Sequence, residues 1–460
     1  MNDFTESTMQ PQKKSISQEL KILLSLMLPI LITQFAQAGF GLIDTIMAGH
    51  ISAADLAAIS VAVGMWFPIL VLSSGIMLAT SPLIAEAVGA KKNHDIQTIT
   101  HQSLWIALIL GIIAGAILFC MPLAFDALDI PANLHTKSGL FLQSIAFGMP
   151  AVALYTALRG YTEALGHPKV ITIISIASLF LLIPINYIFM HGKLGLPAFG
   201  GAGAGFANAI MQWLILIALV IFLKKSKAFD TVRLFQKFEL PDSRWLKRIF
   251  LLGFPIGLSI FFEVSIFSTS SLVISPLGDT FIAAHQIAMS TTGQLFMVPL
   301  SLAIALTIRV GQYYGAKDWQ NLIQVQKIGF AVASVFACIT MILLWFGREF
   351  ILQAFTSDTA VIQVAFGLLV FAVMYQLMDA WQITASGCLR GLQETKAPMY
   401  ITFIAYWIIA FPVGVYCTRY AGFAAKGVWI GLIVGLSVAC VLLIWQLRKR
   451  NLQLLAIDKT

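Results

Sequence analysis

Residues 106–118 read IALILGIIAGAIL, a run that contains no charged residue and does not alternate between apolar and polar side chains. It lies inside an apolar stretch at about residues 98–121, close to the ~20 residues that a helix needs to cross a ~30 Å hydrocarbon core. Only helices and closed β-barrels satisfy every backbone hydrogen bond in lipid, and barrel strands alternate over about ten residues. The stretch therefore predicts a membrane-spanning helix.

Stretches of this kind recur along the whole chain. Of its 460 residues, 59% are hydrophobic and 11% are charged, which lies outside the range of soluble domains. The sequence therefore predicts an all-α polytopic membrane protein with twelve transmembrane helices. The expected spans are at about residues 20–45, 56–81, 98–121, 138–158, 169–190, 202–223, 246–275, 281–306, 324–346, 360–385, 398–417 and 427–447.

The basic residues are unevenly divided between the two sides of this predicted bundle. Alternate loops place five of the 29 on one side and the other 24 on the side of both termini. Cytoplasmic loops carry the positive excess, so both termini are expected in the cytoplasm of a bacterial inner membrane protein. Topology then explains the net charge of +8, and no nucleic-acid partner is expected. The five on the other side are Lys137, Lys193, Arg348, Arg419 and Lys426.

The chain also contains an internal repeat. An offset of 226 residues relates Pro29 to Pro255, and relates the Gly-Ala-Lys turn at 89–91 to the one at 315–317. Two six-helix lobes related by a parallel repeat are therefore predicted, with a site expected between them. The predicted units are an N-terminal segment at 1–19, an N-lobe at 20–223, an inter-lobe loop at 224–245, a C-lobe at 246–447 and a C-terminal tail at 448–460.

Three acidic residues interrupt the apolar background. Asp44, Glu263 and Asp379 lie in the middle of the first, seventh and tenth predicted spans. On insertion scales an aspartate at that depth costs roughly 2.5 to 3.5 kcal/mol, unless it faces a water-filled cavity or a partner. Each acid is therefore a candidate for a functional site. A buried hydrogen bond to a neighbouring helix is the structural alternative.

Helical spacing places other polar residues beside these acids. Interhelical hydrogen bonds are as good an explanation for the amides as ligand contact. The companions are Gln34, Gln37 and Gly41 for Asp44, with Asn186 and Asn208 on later helices; Phe267 and Ser270 or Ser271 for Glu263; and Tyr375, Gln382 and Ser386 for Asp379.

Other polar residues have simpler explanations. Glu86 and Arg309 lie near predicted helix ends, where a charged side chain is expected to reach toward water. His285 is expected to be a packing residue. The five cysteines show no spacing typical of a metal or redox site, and no cofactor is expected.

Six segments give the chain a resemblance to a known family. It resembles the multidrug and toxic compound extrusion (MATE) family, in its bacterial NorM-type branch. The resemblance implies two lobes around a cavity that opens alternately to either side. It also implies export of cationic or amphipathic drugs and dyes, such as quinolones and ethidium-like compounds, in exchange for inward H⁺ or Na⁺. The segments are GLIDTIMAG at 41–49, LGFPIGLSIFFEV at 252–264, AAHQIA at 283–288, RVGQYYGAK at 309–317, YQLMDA at 375–380 and GCLRG at 387–391.

The resemblance also implies roles for individual residues. Glu263 and Asp379 are similar to the family's C-lobe cation carboxylates, with Tyr375 beside them, and Asp44 is similar to its N-lobe acid. The chain departs from the pattern at Leu182, where relatives can carry an asparagine one turn before Asn186. The predicted coupling residues are Asp44, Glu263, Asp379 and Tyr375, with Glu263 and Asp379 as metal ligands only under Na⁺ coupling; the predicted cavity residues are Gln34, Gln37, Asn186, Asn208, Phe267, Gln286 and Gln382.

Two other functions were weighed against drug export. A flippase for lipid-linked precursors should hold pyrophosphate with many bases, whereas the predicted interior holds acids and almost no bases. An intramembrane aspartyl protease would need a Gly-Xaa-Gly-Asp motif, which the sequence lacks. The coupling ion stays open, because carboxylates beside a tyrosine hydroxyl suit Na⁺ and H⁺ equally well. A monomer surrounded by membrane lipids is expected.

Overall fold

Fifteen α-helices build the computed structural model, which describes residues 15–230, 232, 234–235 and 238–457. Predictions about the rest of the two termini and about residues 231, 233, 236 and 237 lie outside the described residues. The helices are α1 (Ile16–Gly49), α2 (Ala53–Met77), α3 (Thr80–Gly89), α4 (Asn93–Cys120), α5 (Ala132–Ala146), α6 (Met149–Ala164), α7 (Pro168–His191), α8 (Gly203–Lys225), α9 (Ser243–Ile274), α10 (Asp279–Gly315), α11 (Trp319–Phe355), α12 (Thr359–Gly391), α13 (Lys396–Phe403), α14 (Phe411–Arg419) and α15 (Ala425–Ile457).

These helices confirm the predicted membrane architecture. Within the described residues, eleven helical segments are long and apolar enough to cross a membrane, with α2 and α3 counted as one segment. The pair α5 and α6, bent by 44°, makes a twelfth. In another span, α13 and α14 are joined by a π-helical stretch, Ile404–Ala410. Helices α1 to α8 form the N-lobe and α9 to α15 form the C-lobe. The residue boundaries predicted for the two lobes stay predictions.

The two lobes repeat one buried contact. In the N-lobe the hydroxyl oxygens of Thr33 on α1 and Thr172 on α7 lie 3.1 Å apart. In the C-lobe the hydroxyl oxygens of Ser259 on α9 and Thr402 on α13 lie 3.0 Å apart. Thr33 and Ser259 are separated by the same 226 residues that relate the prolines. The first helix of each lobe is therefore joined to its fifth span in the same way.

Both lobes pack against each other at one end of the bundle, which we call the loop end. It is the end where α1 and α9 begin and where α8 and α15 end. There α3 crosses α10 so closely that a Cβ at Gly89 would overlap the carbonyl oxygen of Gln312, and one at Gly315 would overlap that of Glu86. Glycine is required at both positions because the two backbones touch. The repeated Gly-Ala-Lys turns are thus the crossing point of the two lobes.

The segment between the lobes is held against α4. Gln102 donates from Nε2 to the carbonyl oxygen of Leu240 at 2.8 Å and accepts from the backbone N–H of Asp242 at 2.8 Å. Trp105 donates to the carbonyl oxygen of Glu239 at 3.1 Å. The Asp242 side chain in turn accepts the backbone N–H of Arg244 and caps α9. The start of the C-lobe is therefore anchored to the N-lobe.

Candidate functional site

Asp44 is the centre of a hydrogen-bonded triad in the N-lobe. Its Oδ1 accepts from Nδ2 of Asn186 on α7 at 2.7 Å, and its Oδ2 accepts from Nδ2 of Asn208 on α8 at 2.7 Å. The carboxyl residue is only 8% exposed. Three helices that are far apart in sequence are thus joined at one carboxylate. Hydrogen bonds from neutral donors to an ionised acceptor are among the stronger ones in proteins.

One acceptor atom of this N-lobe triad has no partner. Oδ1 of Asn186 is buried and receives no hydrogen bond from the described residues. Leu182, one turn earlier, is completely buried and offers no polar group. A proton, a water molecule or a small cation at this place would find the carboxylate and one free amide oxygen. The triad provides a charged group and a vacant acceptor.

We expect Asp44→Asn to lower thermal stability as well as transport. An asparagine presents one N–H₂ group to two amide donors, so at least one donor loses its acceptor in a buried site. An unsatisfied buried group of this kind costs about 1–3 kcal/mol. Differential scanning of the purified variant measures the loss, with the exposed Asp358→Asn as control because asparagine also caps a helix well. Equal melting temperatures for parent and Asp44→Asn would contradict the importance of the triad.

The two glutamines predicted beside Asp44 have a different partner. Arg159 on α6 donates from Nη2 to Oε1 of Gln34 at 3.0 Å and from Nη1 to Oε1 of Gln37 at 3.1 Å. Its Nε donates to Oε1 of Glu163 at 2.7 Å. Gln37 is exposed in the middle of α1. Gln34 and Gln37 therefore belong to an arginine-centred cluster on the loop-end side of Asp44.

The C-lobe acids form a different kind of site. Glu263 on α9 and Asp379 on α12 are 9% and 4% exposed and interact electrostatically with each other. Within the described part of the chain, no group donates a hydrogen bond to either carboxylate. Two carboxylates in one low-dielectric place repel each other unless a cation or a proton is shared between them. This bare pair is therefore suited to hold a positive charge.

Aromatic and amide groups surround the bare pair. Tyr375, one turn from Asp379, packs on Trp429 with ring centroids 5.9 Å apart and interacts electrostatically with Asp379. Gln382 is 1% exposed, and its Oε1 has no partner among the described residues. Oxygen atoms of this kind are the ligands that a hard cation prefers. Phe267 is half-buried on α9.

Two residues of the conserved-looking segment at 283–288 lie at different depths. Gln286 is exposed on α10, so the structure does not draw it into the bare pair. His285 is fully buried, and its Nδ1 accepts a hydrogen bond from Nε1 of Trp429 at 3.2 Å. Its Nε2 has no partner among the described residues. The expected packing role of His285 therefore fits one ring nitrogen only.

Arg390 is a site residue that sequence reasoning missed. It is 7% exposed, and its guanidinium interacts electrostatically with Glu263. Its one hydrogen bond among the described residues is long, 3.4 Å from Nε to the carbonyl oxygen of Ser386. In the repeat, Arg390 corresponds to Arg159 and Glu263 corresponds to Gln37. The repeat of the Arg-Gly pair was a signal for it, because Arg159 contacts Gln37 in the other lobe.

A second missed cluster joins the lobes at the loop end. Arg309 on α10 donates from Nε and Nη2 to the two carboxylate oxygens of Glu19 on α1, at 2.8 and 2.9 Å. The Tyr313 hydroxyl donates to Oε2 of Glu19 at 2.6 Å. Gln312 accepts from Arg309 and donates to the carbonyl oxygen of Ala164 in the N-lobe. We call Glu19, Arg309, Tyr313 and Gln312 the latch.

Three predictions about charged residues are wrong. Arg309 does not reach toward water, because its side chain is 10% exposed and paired with Glu19, whose side chain is 1% exposed. Arg159 and Arg390, which the topology count assigned to loops, lie inside α6 and α12. The interior therefore holds bases as well as acids. The count failed because it used position along the chain, whereas side-chain contacts across the bundle decide burial.

Comparison with known proteins follows from this geometry. A family model described as MatE matches residues 29–188 and 255–416, one segment in each lobe. The chain belongs to the MatE family. Both matched segments contain the acids described above. The resemblance found in the sequence is confirmed, and because members of the MatE family are transporters, the protein is a transporter and not an enzyme.

Relatives within the MatE family match nearly the whole chain. A protein of Acinetobacter baylyi named probable multidrug resistance protein NorM is 58% identical over 433 residues, which cover 94% of this chain and 96% of that protein. The multidrug resistance protein NorM of Vibrio cholerae is 37% identical over 432 residues, covering 93% of this chain and 94% of that protein. The NorM-type branch of the MatE family is therefore the sequence neighbourhood of this chain.

Solved structures support the same fold. The structure described as an outward-facing conformation of a multidrug resistance MATE family transporter aligns with a TM-score of 0.86 at 19% identity, covering 98% of this chain and all of that one. The eukaryotic MATE transporter AtDTX14 aligns with a TM-score of 0.86 at 20% identity, covering 95% of this chain and 99% of that one. At this identity the likeness concerns the two-lobe MatE fold alone.

Proposed function

We propose that this protein exports cationic and amphipathic drugs from a bacterial cell, in exchange for inward H⁺ or Na⁺, by alternating access between its two lobes. Quinolones and ethidium-like dyes are the proposed cargo. The observation that carries the proposal is the bare pair of Glu263 and Asp379, which needs a positive charge. The names of the NorM relatives support the multidrug cargo.

Charge inside the lobes favours a cation over an anion. The buried carboxylates of Asp44, Glu163, Glu263 and Asp379 outnumber the guanidinium groups of Arg159 and Arg390. Each of these arginines also has an acid beside it, Glu163 for Arg159 and Glu263 for Arg390. A pyrophosphate carrier would need unpaired bases instead. The bases that sequence analysis missed therefore do not revive the flippase alternative.

Competition for the same carboxylates provides the coupling. An ion that binds the bare pair excludes a drug ammonium group from it, and the reverse holds by linkage. If the two lobe arrangements differ in affinity for the ion, ion binding from outside expels the drug on that side. More than one acid per protein allows more than one ion per cycle, so that export of a cation also gains from the membrane potential.

The latch supports an assignment of conformational state. It and the glycine crossing hold the lobes together at the loop end, whereas Gln37 and Gly41 of α1 are exposed nearer the other end. We assign the loop end to the cytoplasm, since it gathers the basic residues. The structure then represents an outward-facing state of a monomer in the inner membrane.

The test uses purified protein in proteoliposomes that contain an ethidium-like dye. A pH gradient and a Na⁺ gradient are imposed separately. Dye movement with the pH gradient alone identifies H⁺ as the coupling ion, and movement only with Na⁺ makes Glu263, Asp379 and Tyr375 ligands of the transported Na⁺. Failure of both gradients, together with dye binding that does not respond to either ion, would overturn the proposal.

We expect Arg390→Met to strengthen the binding of a monovalent cationic dye about tenfold. The guanidinium is a fixed positive charge beside Glu263 and opposes any mobile cation there, and such a charge a few ångström away is worth more than 1 kcal/mol. Equilibrium dye titration in detergent measures the change, and a double variant with Glu263→Gln serves as control. Weaker dye binding by Arg390→Met would show that the arginine contacts the drug instead of opposing it.

A further inference from the structure

A cavity of about 540 Å³ opens at the loop end of the C-lobe, away from the bare pair. It lies between the first turns of α9 and the turn that joins α12 to α13. Four of its lining residues are basic and one is acidic. The basic residues are Arg244, Lys247, Arg248 and Lys396, and Glu394, Gln393, Thr395, Leu251 and Leu252 complete the lining.

The basic residues of the cavity are unequally neutralised. Arg244 is hydrogen-bonded to Asp242, and this contact holds the pKa of the Asp242 carboxyl below its usual range, so the acid stays charged. Arg248 is hydrogen-bonded to Glu86 at 3.0 Å. Lys247 and Lys396 are exposed and have no acidic partner among the described residues. The cavity therefore keeps two free ammonium groups.

Apolar surface continues from the cavity along the helices. On α9, Phe250, Leu251 and Phe254 are 41%, 50% and 40% exposed, and Leu251 also lines the cavity. On α13, Tyr400 and Phe403 are 60% and 38% exposed. Because α9 and α13 pack together, these side chains flank one groove that begins at the basic cavity. A ligand with a charged head and apolar chains matches both parts.

We propose that this cavity binds the headgroup of an anionic phospholipid from the cytoplasmic leaflet, with its acyl chains along the α9–α13 groove. A phosphodiester oxygen accepts hydrogen bonds from ammonium and guanidinium groups together. Basic pockets between transmembrane helices on the cytoplasmic side are suited to such headgroups, and that leaflet is anionic. The apolar groove favours a lipid over free phosphate. Both helices belong to one lobe, so the site does not depend on which way the transporter faces.

The test is native mass spectrometry of the full-length protein in detergent, titrated with phosphatidylglycerol, with phosphatidylcholine of the same chain length, and with inorganic phosphate. The variant Lys247→Gln/Lys396→Gln removes both free ammonium groups. Since a basic residue near an anionic membrane surface contributes about fivefold in affinity, its loss of phosphatidylglycerol binding should be on the order of twentyfold. Phosphatidylcholine binding should not change.

The matched control is Lys224→Gln/Lys225→Gln, which removes two lysines at the loop end of α8 in the other lobe. It should bind phosphatidylglycerol like the parent. Equal losses in both variants would reduce the effect to general surface charge, and no loss in either would overturn the site. Inorganic phosphate that displaces the lipid at similar concentration would identify a free-anion site instead. The assay needs no ion gradient, so its outcome is independent of the proposed drug export.

Discussion

Asp379→Asn is expected to abolish ion-coupled export of a cationic dye while the protein stays folded. A gradient of ~100 mV is worth about 2.3 kcal/mol per charge and sustains roughly a fiftyfold concentration ratio of a monovalent cation. Without the carboxylate the bare pair loses one of its two charges, so ion and drug no longer compete there. The dye ratio across proteoliposomes should fall from roughly fiftyfold toward one, and Glu263→Gln should behave in the same way.

The stability of these variants separates a transport role from a structural one. No described residue donates a hydrogen bond to Asp379, so its amide variant leaves no partner unsatisfied and removes a repulsive charge. The melting temperature should therefore be unchanged or higher, in contrast to Asp44→Asn. Asp358→Asn on the same helix is the control for transport. Normal dye export by Asp379→Asn, or a loss matched by a loss of folded protein, would refute the assignment of this pair.

Much of the site was predictable from sequence because its acids stand out against an apolar background. Asp44, Glu263 and Asp379 each have a position that lipid cannot tolerate without a reason, and helical spacing identified the stripes around them. Asn186 and Asn208 are joined to Asp44 by hydrogen bonds of 2.7 Å, as the sequence suggested they could be. Their role in ion or drug binding stays a prediction.

The contacts that sequence reasoning missed connect residues that no local pattern relates. Arg309 and Glu19 are 290 residues apart, and each lies near a predicted helix end, where a charge needs no explanation. Arg159 reaches Gln34 and Gln37 from a helix more than 120 residues away. Spacing within one helix cannot reveal such pairs. Only the packing of the two lobes shows that these arginines are buried and paired.

The latch leads to the second large expected effect, a change in which way the transporter opens. Arg309→Met leaves the Glu19 carboxylate buried without its bidentate partner, and removal of one partner of a buried ion pair costs about 3–5 kcal/mol. That cost applies only to the arrangement in which the loop end is closed. The equilibrium should move by two to three orders of magnitude toward opening at this end. Spin labels at Lys92→Cys and Gln320→Cys, exposed in opposite lobes, would measure the distance in a background without Cys120 and Cys338.

The double variant Glu19→Met/Arg309→Met distinguishes a latch from a packing defect. Replacement of a buried pair by apolar residues of similar size is often neutral or stabilising, so the double variant should regain the closed distance that Arg309→Met loses. Arg244→Met, which breaks an exposed pair with Asp242, should leave the distance unchanged because surface pairs contribute little. If the double variant stays open like the single one, the arginine closes the loop end by shape and not by charge. The glycine crossing at Gly89 and Gly315 would then hold the lobes together by itself.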